Sequence, residues 1–201
     1  MARKNGAVRR KTHQQRRPGS REVQSNEPRV LDVTVVLVDS GYLSTAVGPI
    51  EVFHSAGYLW NWLRGEEPKP RFRLHIASVD GKSVSGPYPL RVLPECSIKD
   101  IRKTDIIVVS ASSSDLDGIL DDNRPLVEWL RRQHAHGAHI AGICTGVLFA
   151  AEAGLLDGRE ATTHWGVCDA IRARYPNVLW RPEHFVVEDN RLFSSGGVYA
   201  A

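Results

Sequence analysis

Four apolar runs recur along the chain, the first of them rich in β-branched residues, and are separated by segments whose apolar residues recur at helical spacing. Continuous apolar runs are typical of strands buried on both faces of a parallel sheet. Helical periodicity between them predicts helices that pack on that sheet. The strands are predicted at 30–40, 72–79, 105–112 and 136–144, and the helices at 47–64, 125–136, 145–154 and 165–174.

This alternation predicts an α/β fold with a doubly wound, mostly parallel sheet, helices on both faces and right-handed crossovers. The 201 residues, 42% of them hydrophobic, suffice for one domain with a full core. Turns at Asp80-Gly81 and Asp189-Asn190 predict short hairpins beside the main strands. Because ligand sites in such sheets form at the carboxyl ends of strands, functional side chains are expected in the loops that follow them.

Residues 1–28 differ in composition from the rest of the chain. They hold eight Lys or Arg against Glu22 and Glu27, so this segment carries +6 and the other residues carry −3 of the net +3. With almost no large apolar residues, the segment cannot offset its ordering entropy, which predicts a disordered basic tail. Two interpretations stay open: a solvated extension, or a weak contact with DNA or another anionic surface.

The composition also argues against several classes of protein. No apolar run approaches the roughly 18 residues that a membrane span requires, and no apolar stretch of signal length follows Arg9-Arg10 or Arg16-Arg17. The three cysteines, Cys96, Cys144 and Cys168, do not make a disulfide framework. A reducing cytoplasm is therefore the expected location.

The stretch AGICTG (141–146) holds the strongest candidate for chemistry. Cys144 lies where a buried strand must turn sharply into a helix, and the small neighbours Gly142 and Gly146 allow the bend, as in a nucleophile elbow with cysteine in place of serine. A helix N-terminus would lower the thiol pKa, and the amides of Thr145 and Gly146 could hold an oxyanion. The alternative is a small buried cysteine in a tight turn.

Residues 142–165, GICTGVLFAAEAGLLDGREATTHW, resemble the cysteine-elbow segment of the ThiJ/PfpI superfamily, which is class I glutamine amidotransferase-like. The chain specifically resembles the N-terminal domain of AraC-family transcriptional regulators of the GlxA type. The stretches that carry this second likeness are VGPIEVFHSAG (47–57), ARYPNV (173–178) and RLFSSGGVYAA (191–201). The resemblance extends over about residues 30 to 201, and its combination of elbow, THW and SGG motifs is specific.

The resemblance implies a flavodoxin-like, usually dimeric domain with a pocket at the cysteine elbow. Relatives divide between enzymes, such as isonitrile hydratase, amidase-like and deglycase-like proteins, and regulators whose pocket senses a small ligand and whose helix-turn-helix domain follows. It maps the elbow cysteine onto Cys144, the next residue onto Thr145 and the THW histidine onto His164. His164 could activate Cys144 as a general base, and a pocket-lining or structural histidine is the alternative.

Two departures from the enzymatic relatives indicate a non-catalytic role. Where they place a carboxylate that hydrogen-bonds the cysteine, this chain has Thr45, which cannot act as an acid or base. The sequence stops at Ala201, where relatives continue into a further helix and then a DNA-binding part. We therefore expect a truncated ligand-sensing regulatory domain that forms a homodimer and contacts DNA only through an absent helix-turn-helix domain or weakly through its tail. The alternative is a cysteine-dependent hydrolase or hydratase.

The candidate catalytic residues are Cys144 and His164, and the candidate ligand-binding residues are Thr145, Gly146, Thr45, Ser112 and Ser113. Ser112 and Ser113 follow a strand, so their amides and hydroxyls could bind an anion, although helix capping also explains them. The expected partner is a small molecule, with no cofactor. No metal is expected, because His134, His136 and His139 straddle a helix end without a cysteine at zinc-ligand spacing.

Overall fold

The computed structural model describes residues 29–197, so the tail predicted for residues 1–28 lies outside the described residues. The strands are β1 (Leu31–Val36), β2 (Phe72–Ser78), β3 (Val84–Ser85), β4 (Arg91–Val92), β5 (Cys96–Ser97), β6 (Ile106–Val109), β7 (His139–Ile143), β8 (Glu160–Ala161), β9 (Leu179–Trp180), β10 (Val186–Asp189) and β11 (Leu192–Ser195). The helices are α1 (Ser44–Ser55), α2 (Leu59–Leu63), α3 (Leu116–Asp122), α4 (Arg124–Ala135), α5 (Val147–Glu152) and α6 (Trp165–Arg174).

Seven strands form one sheet in the order β10-β11-β7-β6-β1-β2-β5. Neighbouring strands are parallel except β10 and β11, which form the hairpin expected near the end of the chain. Strand β1 lies between β2 and β6, so the chain adds strands first on one side of β1 and then on the other. This confirms the doubly wound architecture. It also puts a topological switch point at the carboxyl ends of β1 and β6, where such sheets bind ligands.

Helices cover the two faces of the sheet unequally. On one face α4 and α5 pack on β7, and Trp129, Leu130 and Phe149 belong to the larger of two buried clusters. On the other face α1 packs on β1, β2 and β6. Beyond α1 this second face opens into an apolar trough of about 930 Å³, bordered by β6, β7 and β11. Of the helices between residues 29 and 197, none combines the length and apolar character that a membrane crossing needs.

The helix predicted at 47–64 is two helices, because the chain turns at Gly57. Gly57 has a φ of 75°, and a Cβ there would lie 2.1 Å from the carbonyl oxygen of Lys69. Only glycine tolerates both the left-handed backbone and the close approach. The helix predicted from 145 begins as a 3-10 turn over Cys144–Gly146 and ends at Glu152. Strands β5, β8 and β9 carry no periodic signal, since two residues are too few to show one.

Candidate functional site

Cys144 has a strained backbone conformation at the end of β7. Its φ of 57° lies in the left-handed region, which residues other than glycine rarely adopt. A Cβ on Gly146 would lie 2.5 Å from the carbonyl oxygen of Val109, and a Cβ on Gly142 would lie 2.5 Å from the Cα of Val147. Close packing of the backbone therefore requires both glycines, and the elbow expected from the sequence is confirmed.

Two threonine hydroxyls tie the elbow to neighbouring loops. The hydroxyl of Thr163 donates a hydrogen bond to the carbonyl of Cys144 (3.1 Å). The hydroxyl of Thr145 accepts from the amide of Ser112 (2.7 Å) and donates to the carbonyl of Ser112 (3.0 Å). Both threonines are buried. Thr145 thus links the elbow to the loop after β6, and Thr163, which the sequence analysis missed, holds the strained residue itself.

The thiol of Cys144 is buried, with only 7% of the residue exposed. Burial raises the pKa of this thiol above its ordinary value, while the amide and hydroxyl of Thr145 act in the opposite direction with smaller effects. No charged side chain among residues 29–197 favours the thiolate. Burial therefore opposes the lowering of the thiol pKa that a helix N-terminus would bring. The sulfur is mainly a neutral thiol at pH 7, which is a poor nucleophile.

His164 is the N-cap residue of α6. Its Nδ1 accepts a hydrogen bond from the amide of Gly166 (3.1 Å), and its ring packs against Trp165 with 5.2 Å between centroids. In a neutral imidazole the accepting nitrogen has no proton, so the proton is on Nε2. The basic nitrogen is therefore engaged in the helix cap. This arrangement favours a structural role over abstraction of a proton from Cys144.

Thr45, which the sequence resemblance aligns with a carboxylate of enzymatic relatives, is buried with 1% exposure. Its hydroxyl donates to the carbonyl of Tyr42 (2.6 Å) and accepts from the amide of Ala111 (2.9 Å). The side chain joins the loop after β1 to the loop after β6. An ionised carboxylate here would face the Tyr42 carbonyl oxygen with no proton to donate.

A polar cavity of about 550 Å³ lies at the carboxyl ends of β1, β2 and β6. Its charged and predicted lining residues are Ser112, Ser113, Lys82, Arg91, Asp39, Asp80, Asp115 and Asp122. The hydroxyl of Ser112 donates to the carbonyl of Asp39 (3.0 Å), and the hydroxyl of Ser113 accepts from the amide of Asp115 (3.2 Å). The other predicted residues are absent from the described lining of this cavity: Cys144, His164, Thr45, Thr145 and Gly146.

The sequence did not indicate Lys82 and Arg91 as cavity residues, because they lie more than 20 residues before Ser112 along the chain. Lys82 precedes β3 and Arg91 is the first residue of β4, in the hairpin region that follows β2. Both are exposed, and the ammonium of Lys82 lies 2.7 Å from a carboxylate oxygen of Asp80, which keeps the pKa of that carboxyl below its ordinary value. The predicted Asp80-Gly81 turn could have indicated that Lys82 lies near the cavity, because this turn follows a strand at the same edge of the sheet as Ser112.

The remaining candidates form no second site in the part of the chain that the structure describes. Between residues 29 and 197 no three His, Cys, Asp or Glu side chains are grouped to hold a metal ion. Cys96 and Cys168 are free thiols, and burial raises the pKa of both.

The model of the DJ-1/PfpI family matches residues 32–201. The HTH-type transcriptional regulator CdhR of Pseudomonas aeruginosa is 34% identical over 160 residues, which cover 78% of this chain and 42% of that protein. The isonitrile hydratase of Pseudomonas putida is 30% identical over 132 residues, which cover 65% of this chain and 55% of that protein. The chain thus spans less than two thirds of the length of either relative.

A solved structure extends the likeness to the fold. The AraC family transcriptional regulator from Pseudomonas putida superposes with a TM-score of 0.67 at 21% identity, and the match covers 85% of both chains. At this level of identity the match is evidence of a shared fold.

Proposed function

The chain belongs to the DJ-1/PfpI family, and from that premise we propose that it is a ligand-sensing regulatory domain of the AraC/GlxA type that carries out no catalysis. The observation that carries the proposal is the state of Cys144. Its thiol is buried with a raised pKa, and the nearest family candidate for a base, His164, uses its basic nitrogen to cap α6. Such a domain keeps the cavity at the strand ends without an activated nucleophile.

The relatives support a regulatory role. The name of the 34% identical relative is that of an HTH-type transcriptional regulator. Our proposal gives this chain the sensing part of such a protein, acting as a homodimer in the cytoplasm. Contact with DNA would come from a helix-turn-helix domain outside the 201 residues, or weakly from the basic residues 1–28.

The proposed ligand is a small polar molecule bound in the cavity at the ends of β1, β2 and β6. The hydroxyls of Ser112 and Ser113 would hydrogen-bond to the molecule, and Lys82, Arg91 and the four aspartates of the lining would bind its charged groups. Thr45 and Thr145 lie outside the cavity lining and are hydrogen-bonded to the backbone of Ala111 and Ser112, in the loop after β6. A bound ligand would then shift Ser112. Because the backbone of Ser112 is hydrogen-bonded to the Thr145 hydroxyl, the shift would reach the elbow.

A melting experiment on the full chain tests this function. The probes are free amino acids, small carboxylic acids and polyols, each at about 10 mM. A compound at 100 times its Kd adds about 2.7 kcal/mol to stability, which for a domain of this size corresponds to a rise in Tm of roughly 5–10 °C. The compound should be recovered unchanged, as monitored by NMR over hours. The Arg91→Gln variant should lose the rise.

Arg102→Gln is the matched control, because Arg102 is an exposed arginine outside the cavity lining. The proposal fails if no probe raises the Tm. The ligand assignment fails if Arg91→Gln responds like the wild type, or if Arg102→Gln loses the rise in Tm to the same extent.

A second candidate function is a cysteine-dependent hydratase. The 30% identity to isonitrile hydratase and the intact elbow at Cys144 favour it. Incubation with a simple alkyl isonitrile distinguishes the two functions. The hydratase function would be established if the wild type converts the isonitrile to the N-alkylformamide and the Cys144→Ala variant does not. Equal background rates for both proteins would rule out this reaction.

A further inference from the structure

The apolar trough beside α1 has the dimensions of a small-molecule site. Its volume of about 930 Å³ lies within the range of roughly 300–1,000 Å³ that such sites have. Helix α1 forms one wall, and alternate residues of β6, β7 and β11 form the floor, since residues two apart on a strand share a face. The apolar residues of floor and wall include Ile106, Val108, Ala141, Ile143, Phe193 and Phe53. The trough can therefore bury the apolar body of a ligand.

A buried hydroxyl without a partner lies at the carboxyl end of this trough. Ser195, the last residue of β11, is 7% exposed, and its hydroxyl oxygen forms no hydrogen bond within residues 29–197. Ser195 lines the trough and shares a face of β11 with Phe193. Because a serine hydroxyl turns between three χ1 positions, it can point to a ligand. The ligand would then satisfy a group whose burial is otherwise unfavourable.

The N-terminus of α1 lies at the same end of the trough. The helix begins at Ser44, which lines the trough and follows the carboxyl end of β1. Leu43 at the N-cap position provides no side-chain hydrogen bond, and the first turn of this 12-residue helix holds no acidic residue. The N-terminus of a helix has a partial positive charge and stabilises anions. Together with the Ser195 hydroxyl, this end of the trough therefore suits a carboxylate.

Charged side chains close the opposite end of the trough. Arg29 and Asp105 form an ion pair there, and His139 begins β7. From His139 to Ile143 the strand rises about 13 Å, and no charged residue among those described lines the trough beyond His139. A ligand that fits the trough therefore has one anionic group and an extended apolar body of about this length.

We propose that the trough binds an aliphatic carboxylic acid, with its carboxylate at Ser44 and Ser195 and its chain along β7 toward His139. Such an acid has the single anionic group and the extended apolar body that the two ends of the trough select. The trough and the polar cavity share no lining residue. This site is therefore additional to the one in the proposed function, and each can be tested while the other is intact.

Isothermal titration calorimetry of the full chain at pH 7 with hexanoate, octanoate and decanoate tests the site. Affinity should increase up to about fourfold for each added methylene, because each one is buried in the trough. Decyltrimethylammonium has a chain of the same length and the opposite charge. It should bind at least about tenfold more weakly, because it can neither accept the Ser195 hydrogen bond nor pair with the N-terminus of α1. No heat of binding with decanoate up to about 1 mM, or equal affinity for the cation, overturns the proposal.

Ser195→Ala tests the carboxylate position. The variant should bind decanoate about tenfold or more weakly, because it lacks a hydrogen bond to a charged group. Its Tm without ligand should be no lower than that of the wild type, because the change removes a buried hydroxyl that has no partner. Ser55→Ala is the matched control, since Ser55 ends α1 outside the trough lining, and it should bind like the wild type, as should Arg91→Gln. Wild-type affinity in Ser195→Ala, or a lower Tm, contradicts the assignment.

Gly48→Phe tests the position of the apolar body. Gly48 lines the trough from α1, and a Cβ there meets nothing within 4 Å, so a phenyl ring can occupy the trough. The variant should stay folded by far-UV circular dichroism and bind decanoate at least about tenfold more weakly, because the ring displaces buried methylenes. Undiminished binding by the folded variant would place the acid elsewhere and overturn the proposal. So would a wild type that binds no decanoate and sediments as a dimer that Gly48→Phe dissociates, because a second copy would then occupy the trough.

Discussion

The hydroxyl of Thr163 donates a 3.1 Å hydrogen bond to the carbonyl of Cys144 across 19 residues of sequence. The bond joins the THW segment to the elbow and holds a residue whose backbone is in the left-handed region. Because Thr163 directly precedes His164, one short segment both supports the elbow and begins α6. His164 therefore has a structural role at the start of α6, directly after the threonine that supports the elbow.

Thr163→Val should destabilise the protein by about 0.5–1.5 kcal/mol, because the change keeps the shape but removes one of two donors to the buried Cys144 carbonyl, which retains its bond from the amide of Val147. Urea unfolding gives the free energy. Thr163→Ser retains the hydroxyl and should recover most of the loss. An unchanged free energy in Thr163→Val would show that the bond contributes nothing to the elbow.

Gly146→Ala should be among the most destabilising small substitutions in the chain. Its Cβ would lie 2.5 Å from the carbonyl oxygen of Val109, and the backbone has no room to move aside. Overpacking of this kind costs about 1–3 kcal/mol or more. Gly48→Ala is the control, since a Cβ at that position in α1 meets nothing within 4 Å. It should be neutral or stabilise by about 0.5–1 kcal/mol, and equal losses in both variants would contradict the elbow packing.

The sequence predicted the parts of the fold that local pattern encodes. Continuous apolar runs identify β1, β2, β6 and β7, and the glycine spacing around Cys144 identifies the elbow. Each of these signals is contained within a short segment of the chain. The break between α1 and α2 was missed because a helical periodicity continues through Gly57, whose φ is set by the approach of Lys69.

The site was only partly predictable for the same reason. Ser112 and Ser113 could be placed at a strand end, and they line the polar cavity. Two other features depend on how distant segments of the chain pack together. They are the contact between Thr163 and Cys144 and the position of Arg91 in the cavity lining. The pKa of Cys144 likewise depends on burial by the whole fold, whereas the sequence shows only the start of a helix.

His164 should behave as a helix cap. His164→Ala removes the acceptor for the Gly166 amide and should cost about 0.5–2 kcal/mol. His164→Asn supplies a good capping group and should restore stability. Thiol alkylation of Cys144, followed by mass spectrometry, should be no slower in His164→Ala than in the wild type. A slower reaction in both variants would instead assign the histidine to activation of the cysteine.

The reactivity of Cys144 with iodoacetamide should show no inflection near neutral pH. Burial raises the pKa of the thiol, so site-resolved alkylation should be slow at pH 7, rise steadily with the thiolate fraction as the pH increases, and level off only above the ordinary value of about 8.5. An inflection below pH 7 would mean an activated thiolate and would favour the hydratase.

The same shift predicts how stability depends on pH. A thiol whose pKa is higher in the folded state contributes stability that is fully present below the unfolded pKa of about 8.5. That contribution is lost as the pH rises through the folded pKa, because the unfolded chain then releases its proton more readily. The stability difference between the wild type and Cys144→Ala should therefore be constant from pH 6 to about 8 and change in favour of the variant above it. A difference that changes between pH 5 and 7 instead would place the ionisation of Cys144 in the acidic range and contradict a buried, neutral thiol.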